Sequence, residues 1–173
     1  MSDTDLIYLV GKGVEDAFKE LLKRHQGAIY QFACRFLADS CEAEDIAQET
    51  FLRLYRFQER YIPGSSLRNY LLKISQNLCI DLIRKKSSKL MEMPEMTDNE
   101  TSHDCMERVQ SLNALEKAIS DLPENQRAVI LLRHDHHLRY KEIAQTLGIS
   151  VGAVESLLVR ARRKLRSLLL DDS

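Results

Sequence analysis

Residues that interrupt helices are scarce in this sequence, which has six glycines and three prolines among 173 residues. Leucine, alanine, isoleucine, glutamate, lysine and arginine dominate instead, and these residues favour helix over strand. The chain is 44% apolar and 29% charged, as is typical of globular proteins with one domain or two small ones. The composition therefore predicts an all-α fold.

The sequence also lacks the features of membrane and secreted proteins. No run of about 18 apolar residues is present, and the opening stretch "MSDTDLIYLVGKG" lacks the basic flank and long apolar core of a signal peptide. Cys34, Cys41, Cys79 and Cys105 form no CxxC pair. We therefore expect a cytoplasmic protein with free thiols and no disulfide framework.

A large excess of positive charge is absent as well, since the formal net charge is −1. Counting only lysine, arginine, aspartate and glutamate, the net charge is +1 over residues 1–86 and +2 over residues 114–173. It is −4 over residues 87–113. The acidic charge is thus concentrated in the middle of the chain.

Apolar residues recur at intervals of three and four in three N-terminal segments, 16–37, 41–57 and 67–86, which predicts three amphipathic helices. Gly27 is expected to bend or divide the first helix. In the second helix, the residues expected to face the core are Ile46, Phe51, Leu54 and Tyr55.

The stretch "SSKLMEMPEMTDNETSHDCM" shows no sustained period and many polar residues, which is typical of a linker. Helical patterns resume after it. We therefore expect two small helical domains, at residues 1–86 and 113–173, joined by a flexible acidic linker at 87–112.

The stretch "YKEIAQTLGISVGAV" predicts a helix-turn-helix. Ala144 is small enough for two helices to cross closely, Gly148 supplies the turn, and Ser150 is a good N-cap for the second helix. An ordinary helical hairpin is the alternative. The second helix is expected to bury a seam made of Val151, Val154, Leu158, Ala161, Leu165 and Leu168.

That seam turns Arg160, Arg163 and Arg166 outward. Arginines in such a position bind phosphates or contact guanine edges in the major groove, whereas a terminal basic run can also be only a solvated face. Next to the helix-turn-helix pattern, the DNA-binding interpretation is favoured.

Two other polar clusters have several interpretations. The acidic stretch "EAEDIAQET" could bind metal, shuttle protons, form a solvated face or dock a basic helix of another protein. The histidines of "RHDHH", and His103 with Cys105, are possible metal ligands, but adjacent helical residues point in different directions and would need partners from elsewhere. The further ligands of an HD-type phosphohydrolase are not found, so we predict no metal, no cofactor and no small-molecule substrate.

Five motifs in order resemble the extracytoplasmic-function (ECF) sigma factors, and the resemblance extends from about residue 17 to 169. The motifs are "AFKELLKRH", "AEDIAQETFLRLY", "LRNYLLKISQNLCIDLIRKK", "LPENQRAVILLR" and "YKEIAQTLGISVGAVESLLVRARRKL". The resemblance implies sigma region 2 over 1–86, which binds polymerase and the −10 promoter element, and sigma region 4 from 113 onward, which binds the −35 element.

The resemblance also implies roles for individual residues. Those matching the contact with the β′ clamp helices of core RNA polymerase are Asp45, Gln48, Glu49 and Leu52. Those matching −10 contacts are Arg68, Asn77, Arg84 and Lys85. Those matching −35 contacts are Arg133, Ser156, Arg160 and Arg163. The β flap of the polymerase and an anti-sigma factor are further implied partners.

The sequence departs from the family pattern in the helix that would read DNA. Ala153, Glu155 and Leu157 stand where the family usually has threonine, a basic residue and arginine. This exchange is expected to weaken phosphate binding, although Glu155 could accept a hydrogen bond from cytosine. His137 occupies a turn position where glycine is common.

These observations predict a non-enzymatic sigma factor that binds core polymerase, recognises −10 and −35 elements and separates the strands at the −10 element. One alternative is a sigma-like decoy that occupies an anti-sigma factor without supporting transcription. Another is a helix-turn-helix regulator, which would not need the N-terminal domain.

Overall fold

The computed structural model describes residues 1–92 and 113–171, and all regular structure within these two ranges is helical. The N-terminal bundle contains α1 (Asp3–Gly11), α2 (Glu15–Leu37), α3 (Ser40–Arg56), a 3-10 turn (Gln58–Arg60) and α4 (Leu67–Glu92). The C-terminal bundle contains α5 (Ala114–Ser120), α6 (Glu124–His134), α7 (Tyr140–Leu147) and α8 (Val151–Asp171). The all-α prediction is therefore confirmed.

The N-terminal helices follow the apolar pattern with three differences. Helix α2 continues through Gly27, because one glycine costs only about 1 kcal/mol in a helix that buries a full apolar face. Tyr55 is 50% exposed and lies at the edge of the buried stripe, so its predicted place in the core is wrong. Helix α4 extends to Glu92, six residues into the segment predicted as linker, and the remainder of that segment lies outside the described residues.

The helix-turn-helix forms as predicted between α7 and α8. Gly148 adopts φ 68°, a left-handed conformation that favours glycine, and the Ser150 hydroxyl accepts a hydrogen bond of 3.1 Å from the Ala153 amide. Val154, Leu158 and Ala161 are buried. Val151, in contrast, is 37% exposed because it occupies the first turn of α8, where fewer neighbours cover it.

The two bundles pack against each other and share one hydrophobic core. Phe32 and Phe36 of α2 are fully buried, and α2 contacts both α5 and α6. Helix α4 contacts α7. The C-terminal bundle therefore lies on a defined face of the N-terminal bundle.

Within the described ranges, no single helix is both long enough and apolar enough to cross a bilayer; α7 and α8 reach that length and composition only when taken together, and they are bent by 100° at their junction.

Candidate nucleic-acid and polymerase interfaces

The predicted polymerase contacts lie along one side of α3. Asp45, Gln48 and Leu52 are exposed, with Leu52 at 45%. Their spacing of three and four residues places them on adjacent turns. Glu49 is half-buried and accepts a hydrogen bond of 3.2 Å from Arg53. An exposed leucine flanked by an acidic and an amide side chain suits a protein partner that carries basic groups.

The four predicted −10 contacts are divided between separate places on α4. Asn77 is exposed and lines a cleft, while Arg84 and Lys85 line a shallow groove about two turns away. Arg68 is half-buried near the start of the helix, where it contacts His136 of the C-terminal bundle. From Arg68 to Lys85 the helix rises by about 25 Å, so these residues form a track and not one pocket.

The cleft beside Asn77 was not predicted from the sequence. It has a volume of about 320 Å³ and lies between the end of α3 and the first half of α4. Its lining includes arginines and aromatic rings: Arg53, Arg56, Phe57, Arg60, Tyr70, Ile74 and Asn77, with Glu49 at one side. The arginine spacing in "RLYRFQER" is the sequence signal that could have indicated it.

The aromatic groups of this cleft are held in place by their neighbours. The Arg60 guanidinium lies 4.3 Å from the centroid of the Phe57 ring. Tyr70 meets Tyr61 edge to face at 5.8 Å, and burial raises the pKa of Tyr70, so its hydroxyl stays protonated at neutral pH. Aromatic faces next to arginines are the combination that binds unstacked bases and their phosphates.

Three of the four predicted −35 contacts come together on α8. Ser156, Arg160 and Arg163 are exposed and line a shallow groove together with Glu155 and Val159. Arg133 lies elsewhere, since it donates a hydrogen bond of 3.0 Å to the Leu138 carbonyl and stacks over Tyr140. Glu155 thus adds a negative charge to an otherwise cationic surface.

Leu157, the other substituted position, is half-buried and packs against the core. Its place beside the buried seam agrees with its helical angle.

Both bundles correspond to known domains. Residues 21–89 match the family model of Sigma-70 region 2, and residues 112–165 match that of Sigma-70, region 4. SigW, an ECF RNA polymerase sigma factor of Bacillus subtilis, is 33% identical over 175 residues, which cover 94% of this chain and 94% of SigW. The chain belongs to the ECF sigma factor family. The family prediction is confirmed by these matches.

Two further relatives agree with this assignment. SigE of Mycolicibacterium smegmatis is 34% identical over 163 residues, which are 91% of this sigma factor but only 63% of SigE. The structure of CnrH in complex with the cytosolic domain of CnrY has a TM-score of 0.74, 27% identity and 99% coverage of both chains. The likeness to CnrH covers both bundles together and is not limited to one of them.

The "RHDHH" stretch of this sigma factor forms the end of α6 and the turn before α7. His136 is 2% exposed, and its ring meets Phe32 edge to face at 5.7 Å. His137 has φ 56°, so the position where the family often has glycine adopts a left-handed conformation here. Across residues 1–92 and 113–171, no three histidine, cysteine or acidic side chains are grouped so as to hold a metal ion. His103 and Cys105 lie outside these ranges.

The neutral form of His136 is favoured in the folded protein. Burial, and then the neighbouring Arg68 guanidinium, lower the pKa of His136 to about 4; the Asp135 carboxylate opposes this shift, while His137 and Arg35 add to it slightly. Arg68 can only donate, so His136 Nδ1 accepts and the ring proton is assigned to Nε2, which is buried without a partner.

We predict a loss of stability of about 1–2 kcal/mol between pH 7.5 and 5 that depends on His136. Because the folded pKa lies below the ordinary value of 6.5, this contribution is complete above pH 6.5 and decreases as the pH falls toward 4. Urea unfolding at both pH values measures the effect. The matched variant His136→Gln, which keeps an acceptor but does not titrate, should lose less; an equal loss in both proteins would contradict the prediction.

The cysteines of this sigma factor only partly follow the expectation of free thiols. Cys34 and Cys79 are free, and burial raises the pKa of Cys79 to about 12, which makes its thiol unreactive. Cys41 is disulfide-bonded, so the expectation is wrong for this residue. The absence of a CxxC pair does not exclude a disulfide between cysteines at other spacings. Cys105 lies outside the described residues.

Proposed function

We propose that this sigma factor binds core RNA polymerase, directs it to promoters with −10 and −35 elements, and stabilises the separated strands at the −10 element. The observation that carries the proposal is the arginine-aromatic cleft beside Asn77. A base that leaves the duplex would stack on Phe57 or Tyr70, while Arg56 and Arg60 meet the adjacent phosphates.

Strand separation in this proposal follows from differential binding. On this proposal the cleft holds an unstacked base more favourably than a paired one, so binding energy offsets an unpairing cost of a few kcal/mol per base. Arg84 and Lys85 extend the cationic track along α4 toward neighbouring phosphates. No covalent step is required, and we assign no enzymatic activity.

The exposed side of α3, formed by Asp45, Gln48 and Leu52 with Glu49 beside them, is the proposed contact with the β′ clamp helices. The groove of Ser156, Arg160 and Arg163 is the proposed reader of the −35 duplex, and region 4 is also the proposed contact with the β flap. This function places the protein in the cytoplasm. The similar structure of the sigma factor RpoE of Bartonella quintana was solved in complex with the anti-sigma factor NepR, which supports an anti-sigma factor as a further partner, and such a factor could hold the chain at the inner membrane.

A sigma-like decoy is the second candidate, and Glu155 favours it. A carboxylate within the −35 groove opposes phosphate binding, and a decoy would retain the polymerase or anti-sigma surface without productive promoter recognition.

Transcription in vitro distinguishes these functions. The full chain is incubated with core polymerase and a promoter library, and run-off transcripts are sequenced. Promoter-specific transcripts support a sigma factor, polymerase binding without transcripts supports a decoy, and duplex binding without polymerase supports a regulator.

The polymerase-binding measurement in this assay also tests whether the exposed side of α3 contacts polymerase. Asp45→Lys should weaken polymerase binding at least about tenfold, because it reverses a charge that faces a basic partner. Asp16→Lys is the matched control, since it makes the same charge change on a side chain that is 92% exposed on α2. Equal effects of the two substitutions would exclude α3 as the docking surface.

A further inference from the structure

The turn between α6 and α7 contacts region 2 through two polar side chains. Arg35 of α2 donates hydrogen bonds of 2.5 and 2.6 Å to the two carboxylate oxygens of Asp135. Both side chains are sheltered from water, with 25% and 12% of their surface exposed. A charge-assisted hydrogen bond in such surroundings is stronger than an ion pair on an open surface.

The second contact involves Arg68, which is also a proposed −10 contact. Its Nη2 lies 3.0 Å from Nδ1 of His136, and His136 is buried against Phe32. The guanidinium therefore donates to region 4 in this conformation. Asp135 and His136 thus engage two cations of region 2 at the same time.

The groups that the α6–α7 turn presents to these arginines are similar in charge and hydrogen bonding to a DNA phosphate. Asp135 presents a carboxylate to Arg35, and the His136 ring nitrogen presents a lone pair to Arg68. A phosphate group offers the same two things, negative charge and acceptor atoms. The α6–α7 turn therefore offers these arginines the kind of group that a phosphate would offer.

We propose that Asp135 and His136 form an intramolecular clasp that holds region 4 against region 2 and withholds Arg68 from nucleic acid until it opens. The inference rests on the proposed role of Arg68 at the −10 element. It assigns a function to the "RHDHH" stretch, which neither a metal site nor the helix-turn-helix accounts for. Opening of the clasp also frees Arg35 for phosphate contact.

The test removes the acidic half of the clasp in the full chain. Asp135→Ala should increase the radius of gyration measured by small-angle X-ray scattering and raise the affinity for a random single-stranded oligodeoxynucleotide about tenfold. Asp171→Ala is the matched control, because Asp171 is an exposed aspartate of the same bundle, at the end of α8. If both variants give the wild-type radius and equal affinities, the clasp is refuted.

Two further variants test whether the expansion comes from misfolding and whether the gain in DNA affinity depends on Arg68. The double variant Arg35→Asp with Asp135→Arg should restore the compact radius, which a variant that had merely failed to fold would not do. Arg68→Ala in the Asp135→Ala background should remove most of the gain in DNA affinity. Expansion without any gain in affinity would overturn both the withholding of Arg68 and its proposed −10 role, while transcription by the wild-type chain would still stand as the separate test of sigma function.

Discussion

Replacing Arg127 by leucine is expected to lower the free energy of unfolding by about 2–4 kcal/mol. Arg127 of α6 is half-buried and donates to three backbone carbonyls, those of Phe36 at 2.6 Å, Ser120 at 2.7 Å and Leu122 at 3.0 Å. Its guanidinium also lies 4.9 Å from the centroid of the Phe36 ring. Leucine would fill much of the space but would leave these acceptors without their donor.

The reason for so large an effect is the position of the three carbonyls. Phe36 is in the last turn of α2, Ser120 is the last residue of α5, and Leu122 lies two residues beyond it, so none of these oxygens has a full set of helical partners. One planar guanidinium reaches all three and joins the two bundles. Burial lowers the pKa of Arg127 from its ordinary value, yet the group stays charged at neutral pH.

Urea unfolding followed by far-UV circular dichroism measures this prediction in a chain without tryptophan. Arg162→Leu, an exposed arginine on α8, is the control and should change stability by less than about 0.5 kcal/mol. Arg127→Lys should recover less than half of the loss, because an ammonium group cannot match the fork geometry. A loss of under about 1 kcal/mol for Arg127→Leu would show that the carbonyls find other donors.

The local features of the fold could be predicted because each depends on neighbours in sequence. The turn at Gly148, the cap at Ser150 and the buried seam through Val154 and Leu158 all follow from spacing within about 20 residues. Leu157 packs where its helical angle places it. The exposure of Tyr55 could not be predicted, because a residue at the edge of an apolar stripe has no periodic signal that decides its burial.

The contact between the bundles could not be predicted, because it joins residues that are far apart in the chain. Arg35 and Asp135 are separated by 100 positions, Arg127 and Phe36 by 91, and Arg68 and His136 by 68. No period or motif relates such pairs. The histidines of "RHDHH" suggest metal binding in the sequence, because their arginine partners lie far away in the chain and leave no local signal.

The cleft beside Asn77 could be predicted from the sequence only in part. Arg53, Arg56 and Arg60 stand at intervals of three and four residues and could have been identified as one cationic face. Tyr70 reaches the same cleft only because α4 packs against α3. Sequence patterns indicate which residues share a helix face, while the pocket itself requires the packing of two helices.

The second large effect is expected on the affinity for duplex DNA at the groove on α8. Replacing Glu155 by arginine is expected to raise the affinity for duplex DNA about 10- to 100-fold at low salt. Glu155 shares the groove with Ser156, Arg160 and Arg163, so the substitution removes a repulsive charge and adds a cation where phosphates approach. For each added phosphate contact, the slope of log affinity against log salt should steepen by about one.

The groove is exposed in this conformation, so the full chain can be titrated with labelled duplex libraries at several salt concentrations. Asp171→Arg changes the net charge by the same amount at the far end of α8 and should have much less effect. Glu155→Gln separates two roles of the carboxylate. If Glu155 only repels phosphate, glutamine raises affinity for all sequences alike; if it accepts from cytosine in the major groove, selected sequences change instead. An unchanged affinity and salt slope for Glu155→Arg would mean that this side of α8 does not face DNA.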